Sequence, residues 1–211
     1  MNFSSDNVTG VAPEIMAALA VANARTAASY GADAITERLT RRFSEVFERQ
    51  VAVFPVATGT AANALALATL TPPWGVVYGH RDAHFQVDEC GAPEFYTGGA
   101  KLRPLDGAHG KITAADLDAA IMGRGVVHHA QPAAVSLTQS TEAGTVYRAD
   151  EIRQLADIAH ARGNILLTAL KTNALWAEIN FVEALCVQDA KTLGKLPNNL
   201  QRLFYGRCFA L

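Results

Sequence analysis

Short apolar runs alternate with helical segments along this chain, and that alternation constrains the fold more than any other feature. "VAVFPV" (51–56), "WGVVYG" (74–79), "AKLRPLD" (100–106) and "AAVSLTQST" (133–141) read as strands. Between and around them lie predicted helices. Residues 13–28 carry Pro13 in the first turn. Residues 33–49 repeat Ile35, Leu39, Phe43 and Val46 at helical spacing. "TAANALALATL" (60–70) is apolar on most sides, as a buried helix is. Residues 113–122 open on a Thr113 cap with Asp116 three positions later, and residues 149–162 end at Gly163. "AHFQVDECGAPEFYTGG" (83–99) reads as a long irregular segment. Strands and helices in alternation predict an α/β domain around a mainly parallel sheet.

The totals narrow the class. The chain has 211 residues, half of them apolar and 18% charged, with a formal net charge of −2. That is the composition of a globular protein with a real core. No Lys/Arg cluster exceeds Arg41-Arg42, so neither nucleic acid nor an anionic membrane is an expected partner. Cys90, Cys186 and Cys208 lack C-x-x-C spacing, which predicts reduced thiols rather than zinc or a disulfide framework. "MNFSSDNVTG" has no basic segment followed by an apolar one, so a cytoplasmic protein is expected. The uncharged stretch 51–79 is broken by Gly59, Pro72, Pro73 and Gly75 and does not read as a membrane helix.

Ligands of open α/β sheets bind beyond the carboxyl ends of strands. Three candidate groups sit near such ends. Gly59-Thr60 opens a helix, where unpaired amides can hold an anion; taken alone, with no Walker-type lysine following, the turn reads first as a plain strand-helix connection. His84, after "GVVYG", can stack on a flat ring and move protons, or lie at the surface. His128-His129 follows the helix at 113–122.

Four segments taken together, "SSDNVTGVAPEIMAAL", "ATGTAANALAL", "DAHFQVDECGAPEFYTGGAKL" and "SLTQSTEAGTVYRADEI", resemble the low-specificity L-threonine aldolases. The resemblance runs from about residue 2 to about residue 163. It implies the large domain of a fold-type I enzyme dependent on pyridoxal 5′-phosphate, cleaving L-threonine and related β-hydroxy amino acids to glycine and an aldehyde. Gly59 and Thr60 then correspond to the turn that holds the cofactor phosphate, and His84 to the histidine stacked on the pyridine ring. His128 corresponds to a second active-site histidine handling the β-hydroxyl proton. Ser5 and Asp6 lie in a motif lining the substrate side, and Tyr30 matches a tyrosine near the active site. Glu89 and Glu142 fall in family motifs and are expected only to shape loops. The implied assembly is a homodimer or homotetramer, a dimer of dimers with shared sites.

From about residue 164 the pattern departs. The family's Asp-Gly-Ala-Arg motif, whose Asp pairs with the pyridine nitrogen and whose Arg holds the substrate carboxylate, occurs nowhere in the 211 residues. No Schiff-base lysine is identifiable. Lys191 in "DAKTLGK" is the nearest candidate, and Lys171, Lys191 and Lys195 all read as lysines of a solvated helix face. Residues 164–211 are therefore expected to be a truncated or frameshifted, helical, non-family tail. The large domain is expected to be incomplete and without the small C-terminal domain. A second reading follows, that of a catalytically inactive fragment. A third, an unrelated nucleotide binder, lacks G-x-G-x-x-G and a Walker lysine.

Overall fold

A computed structural model of the chain describes residues 10–46, 48, 50–170 and 183–187. They fall into two units.

The first unit takes in the described residues up to Ala57 together with 183–187. Helix α1 spans Pro13–Asn23, with its proline in the first turn, and ends five residues before the expected position 28. Helix α2 spans Ala34–Val46. Asp33 caps α2: its Oδ1 accepts from the amides of Ile35 at 2.9 Å and Thr36 at 3.0 Å, and its Oδ2 accepts from the Thr36 hydroxyl at 2.7 Å. Strand β1, Ala52–Val56, is the predicted apolar run. It pairs antiparallel with a strand at Glu183–Val187, the last described element, with Pro55 opposite Ala184. A two-stranded pair leaves one side of each strand unladdered, which is where a proline is tolerated.

The second unit, Thr58–Thr172, is built on a four-stranded sheet. Its strands are β2 (Gly75–His80), β3 (Lys101–Leu105), β4 (Gln131–Gln139) and β5 (Ile165–Leu170), in the order β3-β2-β4-β5, all parallel. Every residue of β2 is buried, as a central parallel strand covered on both faces requires. The alternation of side chains divides the core into two layers. Val76, Tyr78, Val135 and Leu137 face Leu117, Tyr147, Leu155 and Ala159 on one side. Val77 and Ala134 face Leu67, Ala83 and Phe85 on the other.

Helices α6 (Ala114–Ala120) and α7 (Ala149–Ala161) supply the first layer, and α3 (Gly59–Leu70) the second. The Thr113 hydroxyl accepts from the amide of Asp116 at 3.1 Å, so that cap stands as read, though α6 stops two residues before position 122. α7 closes with Gly163 and Asn164 donating to the carbonyls of His160 and Ala159.

Two expectations need correction. The segment 83–99 contains two short helices, α4 (His84–Val87) and α5 (Ala92–Tyr96), and α3 packs against both. Their brevity hides them from any 3.6-residue periodicity. The supposed helical tail is also misread at its start: Ile165–Leu170 is β5, paired along its length with β4. An apolar run of six fits a buried strand as readily as a helical turn, and the open edge of β4 decides. Lys171, Lys191 and Lys195 lie outside the described residues. No helix among the described residues is long and apolar enough to cross a membrane.

Candidate active site

The chain order of the sheet reverses between β2 and β4. From β2 the next strand lies on one side, and from β4 the next lies on the other. The crevice beyond the carboxyl ends of such a pair is where open α/β sheets take ligands. A cavity of about 10 Å³, room for one water, sits there. His80, Asp82, Thr138, Thr141 and Glu142 are among its lining residues.

The carboxyl edge is held rigidly. His80 is buried. Its Nδ1 accepts from the Asp82 amide at 3.1 Å, so the ring carries its proton on Nε2 and donates to the Gly107 carbonyl at 3.0 Å. Arg81 and Asp106 form an ion pair joining the ends of β2 and β3. Beyond β4, the Gln139 side chain clamps Tyr147, taking its amide at 2.8 Å and giving to its carbonyl at 2.8 Å. Thr141 and Thr145 pair through their hydroxyls at 2.8 Å and hold Glu142 in the turn between them. The Tyr147 hydroxyl accepts from the Ile112 amide at 2.8 Å, and burial raises the phenol above its ordinary range.

α3 begins as the sequence indicates. Thr58 is extended at φ −148° and ψ 158°, and its hydroxyl accepts from the Ala61 amide at 3.1 Å. The Ala62 amide returns to the Thr58 carbonyl at 3.1 Å. That leaves the amides of Gly59 and Thr60 with no acceptor among the described residues. Two unpaired donors at the positive end of a twelve-residue helix suit a dianion such as a phosphate.

One helical turn further, Asn63 leaves the apolar face of α3. Its Nδ2 donates to Glu89 Oε1 at 2.6 Å, and the same oxygen takes His84 Nδ1 at 3.1 Å. The Glu89 side chain is fully buried, whereas 36% of the His84 side chain is exposed. Cys90 at φ 49° and Gly91 at φ 72° turn the chain sharply just after Glu89 and return it into α5. Two consecutive left-handed residues are costly without a glycine among them. Through Glu89, therefore, the first turns of α3 and the imidazole of His84 belong to one constellation. Neither Asn63 nor this role of Glu89 was read from the sequence. A single amide in an otherwise Ala/Leu/Thr helix was the available signal.

Of the remaining sequence candidates, His128 lies in this unit, and the structure does not bring it to this place. His128 is exposed in the turn before β4, and Gln131, which follows it, pairs with Gly75 at the start of β2. His84 follows the other end of β2, about 16 Å away along the strand. The expectation that His128 joins His84 in one site is corrected accordingly: a residue preceding a parallel strand lies at its amino edge. Glu142, following β4, lies at the carboxyl edge instead. Tyr30 belongs to the first unit, 76% exposed and at φ 61°. Ser5 and Asp6 lie outside the described residues. Among the described residues no group of His, Cys, Asp and Glu could hold a metal ion.

The parallel sheet, its helix layers and its reversal point reproduce the fold of the pyridoxal-phosphate enzymes of fold-type I. A threonine aldolase of Leishmania major superposes with a TM-score of 0.79 at 23% identity, over 94% of this chain and 64% of that one. The methionine aminotransferase YbdL of Escherichia coli superposes with a TM-score of 0.63 at 14% identity, over 91% of this chain and 58% of that one. The model of the beta-eliminating lyase family matches residues 2–168, and the chain belongs to that family. Low specificity L-threonine aldolases of Pseudomonas aeruginosa and of another Pseudomonas strain are 43% and 40% identical to it over 154 residues. The match covers 73% of this chain and 44% of each relative, so the chain spans less than half the length of these curated relatives.

Proposed function

We propose that this chain carries the phosphate- and ring-binding part of a pyridoxal-phosphate-dependent aldolase acting on L-threonine and related β-hydroxy amino acids. The observation that carries the reading is the link Asn63–Glu89–His84, which ties the opening turns of α3 to a half-exposed imidazole at the carboxyl edge of the sheet. The residues fit the cofactor. The amides of Gly59 and Thr60 offer donors to its phosphate, and the exposed face of His84 offers a flat surface to its ring. When bound, the cofactor withdraws electrons from the bonds around the substrate Cα. The chain's own part is to anchor, to orient and to exclude water on one side.

Glu142, in the turn beyond β4, stands at the edge where a β-hydroxyl would be handled. The whole-enzyme activity, its amino-acid substrate and a homo-oligomeric assembly belong to this proposal. They are supported by 43% identity to a curated threonine aldolase.

A second reading, binding without turnover, is favoured by one observation. Thr168-Ala169-Leu170 occupies the end of β5, where the family resemblance calls for Asp-Gly-Ala-Arg. Incubating the chain with pyridoxal phosphate and L-threonine and measuring glycine and acetaldehyde separates the two. Turnover above background, with a borohydride-reducible visible band, supports the aldolase. Saturable cofactor binding with neither supports the inactive fragment. No binding at all removes both.

A further inference from the structure

We infer that Glu89 is a positioning residue which, anchored by Asn63, fixes the His84 ring as its Nδ1–H tautomer and thereby fixes the face it presents. An ionised carboxylate only accepts hydrogen bonds. Glu89 Oε1 lies 2.6 Å from Asn63 Nδ2 and 3.1 Å from His84 Nδ1, so both nitrogens donate to it. The amide orientation of Asn63 and the tautomer of His84 are set by that one oxygen. With Nδ1 carrying its proton toward Glu89, the neutral ring keeps its lone pair on Nε2, at the opposite corner.

Burial sharpens the effect. The Glu89 side chain is fully enclosed, so its bonds are made in a low dielectric and bear more than surface bonds do. Asn63 comes from α3 and His84 from the first position of α4. Their shared acceptor therefore locks the ring plane of one helix to the frame of the other. A ring free to rotate about its side-chain bonds would have to be ordered anew by each ligand, and a ring already held is preorganised.

The consequence for the cofactor rests on the reading of the site given above; the tautomer itself does not. Long-range proton–nitrogen correlation spectra of the 15N-labelled full chain, at a pH where the ring is neutral, read the tautomer directly without any ligand. Wild type is expected to show His84 as Nδ1–H. Glu89→Leu, which conserves volume and removes the acceptor, is expected to shift it to Nε2–H. Glu89→Gln, which keeps an acceptor oxygen, is expected to restore Nδ1–H. An Nε2–H tautomer in the wild type overturns the inference, whatever the variants do, so a variant that fails to fold leaves the test intact.

Pyridoxal phosphate affinity, read by visible absorbance, supplies the second arm. Glu89→Leu should weaken it about tenfold, the loss expected for a charge-assisted bond. A switched tautomer with unchanged affinity overturns the preorganising role. Wild-type chain that holds the Nδ1–H tautomer but binds no pyridoxal phosphate supports the tautomer inference and removes the cofactor reading instead.

Discussion

Asp33 illustrates how much one side chain at a helix end can decide. The bonds it receives from the Thr36 amide and hydroxyl hold its carboxyl below the usual carboxylate range. The folded chain therefore releases this proton more readily than the unfolded chain. The cap's contribution is complete above the ordinary carboxylate range and fades as pH falls through it, below about pH 4. Asp33→Ala should cost about 1 kcal/mol at pH 7. In urea titrations the gap between wild type and variant should narrow as pH falls below the ordinary carboxylate range and through the lowered pKa of the folded chain, and a gap independent of pH would contradict the cap. Thr58 makes the same kind of contact at α3, so Thr58→Ala should cost about 1 kcal/mol by the same measurement. Glu151 is held low first by the Lys111 ammonium, 2.8 Å away, and then by the Arg148 amide. The Thr113 cap was legible because N-capping is a local matter of residue type and spacing; the Thr58 cap, one residue before the Gly59-Thr60 turn, emerged only in the structure. The Asn63–Glu89 bond was not legible, because it joins residues 26 apart, one in α3 and one in the bend between α4 and α5.

Elements were legible where their periodicity was long enough to show. α2, α6, α7 and the strands β1 to β4 fall where the apolar spacing puts them, with ends shifted by a few residues. α4 and α5, at four and five residues, lie below the length at which spacing carries a signal, and only their packing on α3 makes them helices. β5 was misread because its pairing partner is supplied by the tertiary fold and not by its own sequence. Gly79 shows how tightly these elements meet. A Cβ there would stand 2.6 Å from Phe85 Cζ and 2.9 Å from the Ser136 carbonyl oxygen. Phe85 follows His84 in α4, so Gly79→Ala should push α4 off the sheet and carry the imidazole with it. We expect a loss of about 1–3 kcal/mol in thermal or urea unfolding. Cofactor affinity should fall more than stability alone explains.

At the scale of the molecule, the second unit is a sheet buried on both faces with its reversal between β2 and β4, and that topology is what collects the site. Leu155 is almost wholly buried in the layer under α6 and α7, away from His84. Leu155→Ala should cost about 2–5 kcal/mol of stability while leaving cofactor affinity near wild type at low temperature. The edge rule also explains His128: motif likeness suggested an active-site role, whereas its position before a parallel strand puts it at the sheet's amino edge.

The most direct test uses Gly59→Pro. Proline is well suited to the first position of a helix, and Thr58 already has the extended backbone that a residue before proline adopts. The substitution therefore deletes one amide donor without breaking α3. Equilibrium dialysis of wild type and Gly59→Pro against pyridoxal phosphate and against unphosphorylated pyridoxal measures what that amide does. Wild type is expected to prefer the phosphorylated form strongly, and Gly59→Pro to lose most of this preference, about tenfold or more in affinity, at unchanged helicity. Equal binding of the two compounds by wild type, or full retention of the preference in Gly59→Pro, would contradict this expectation.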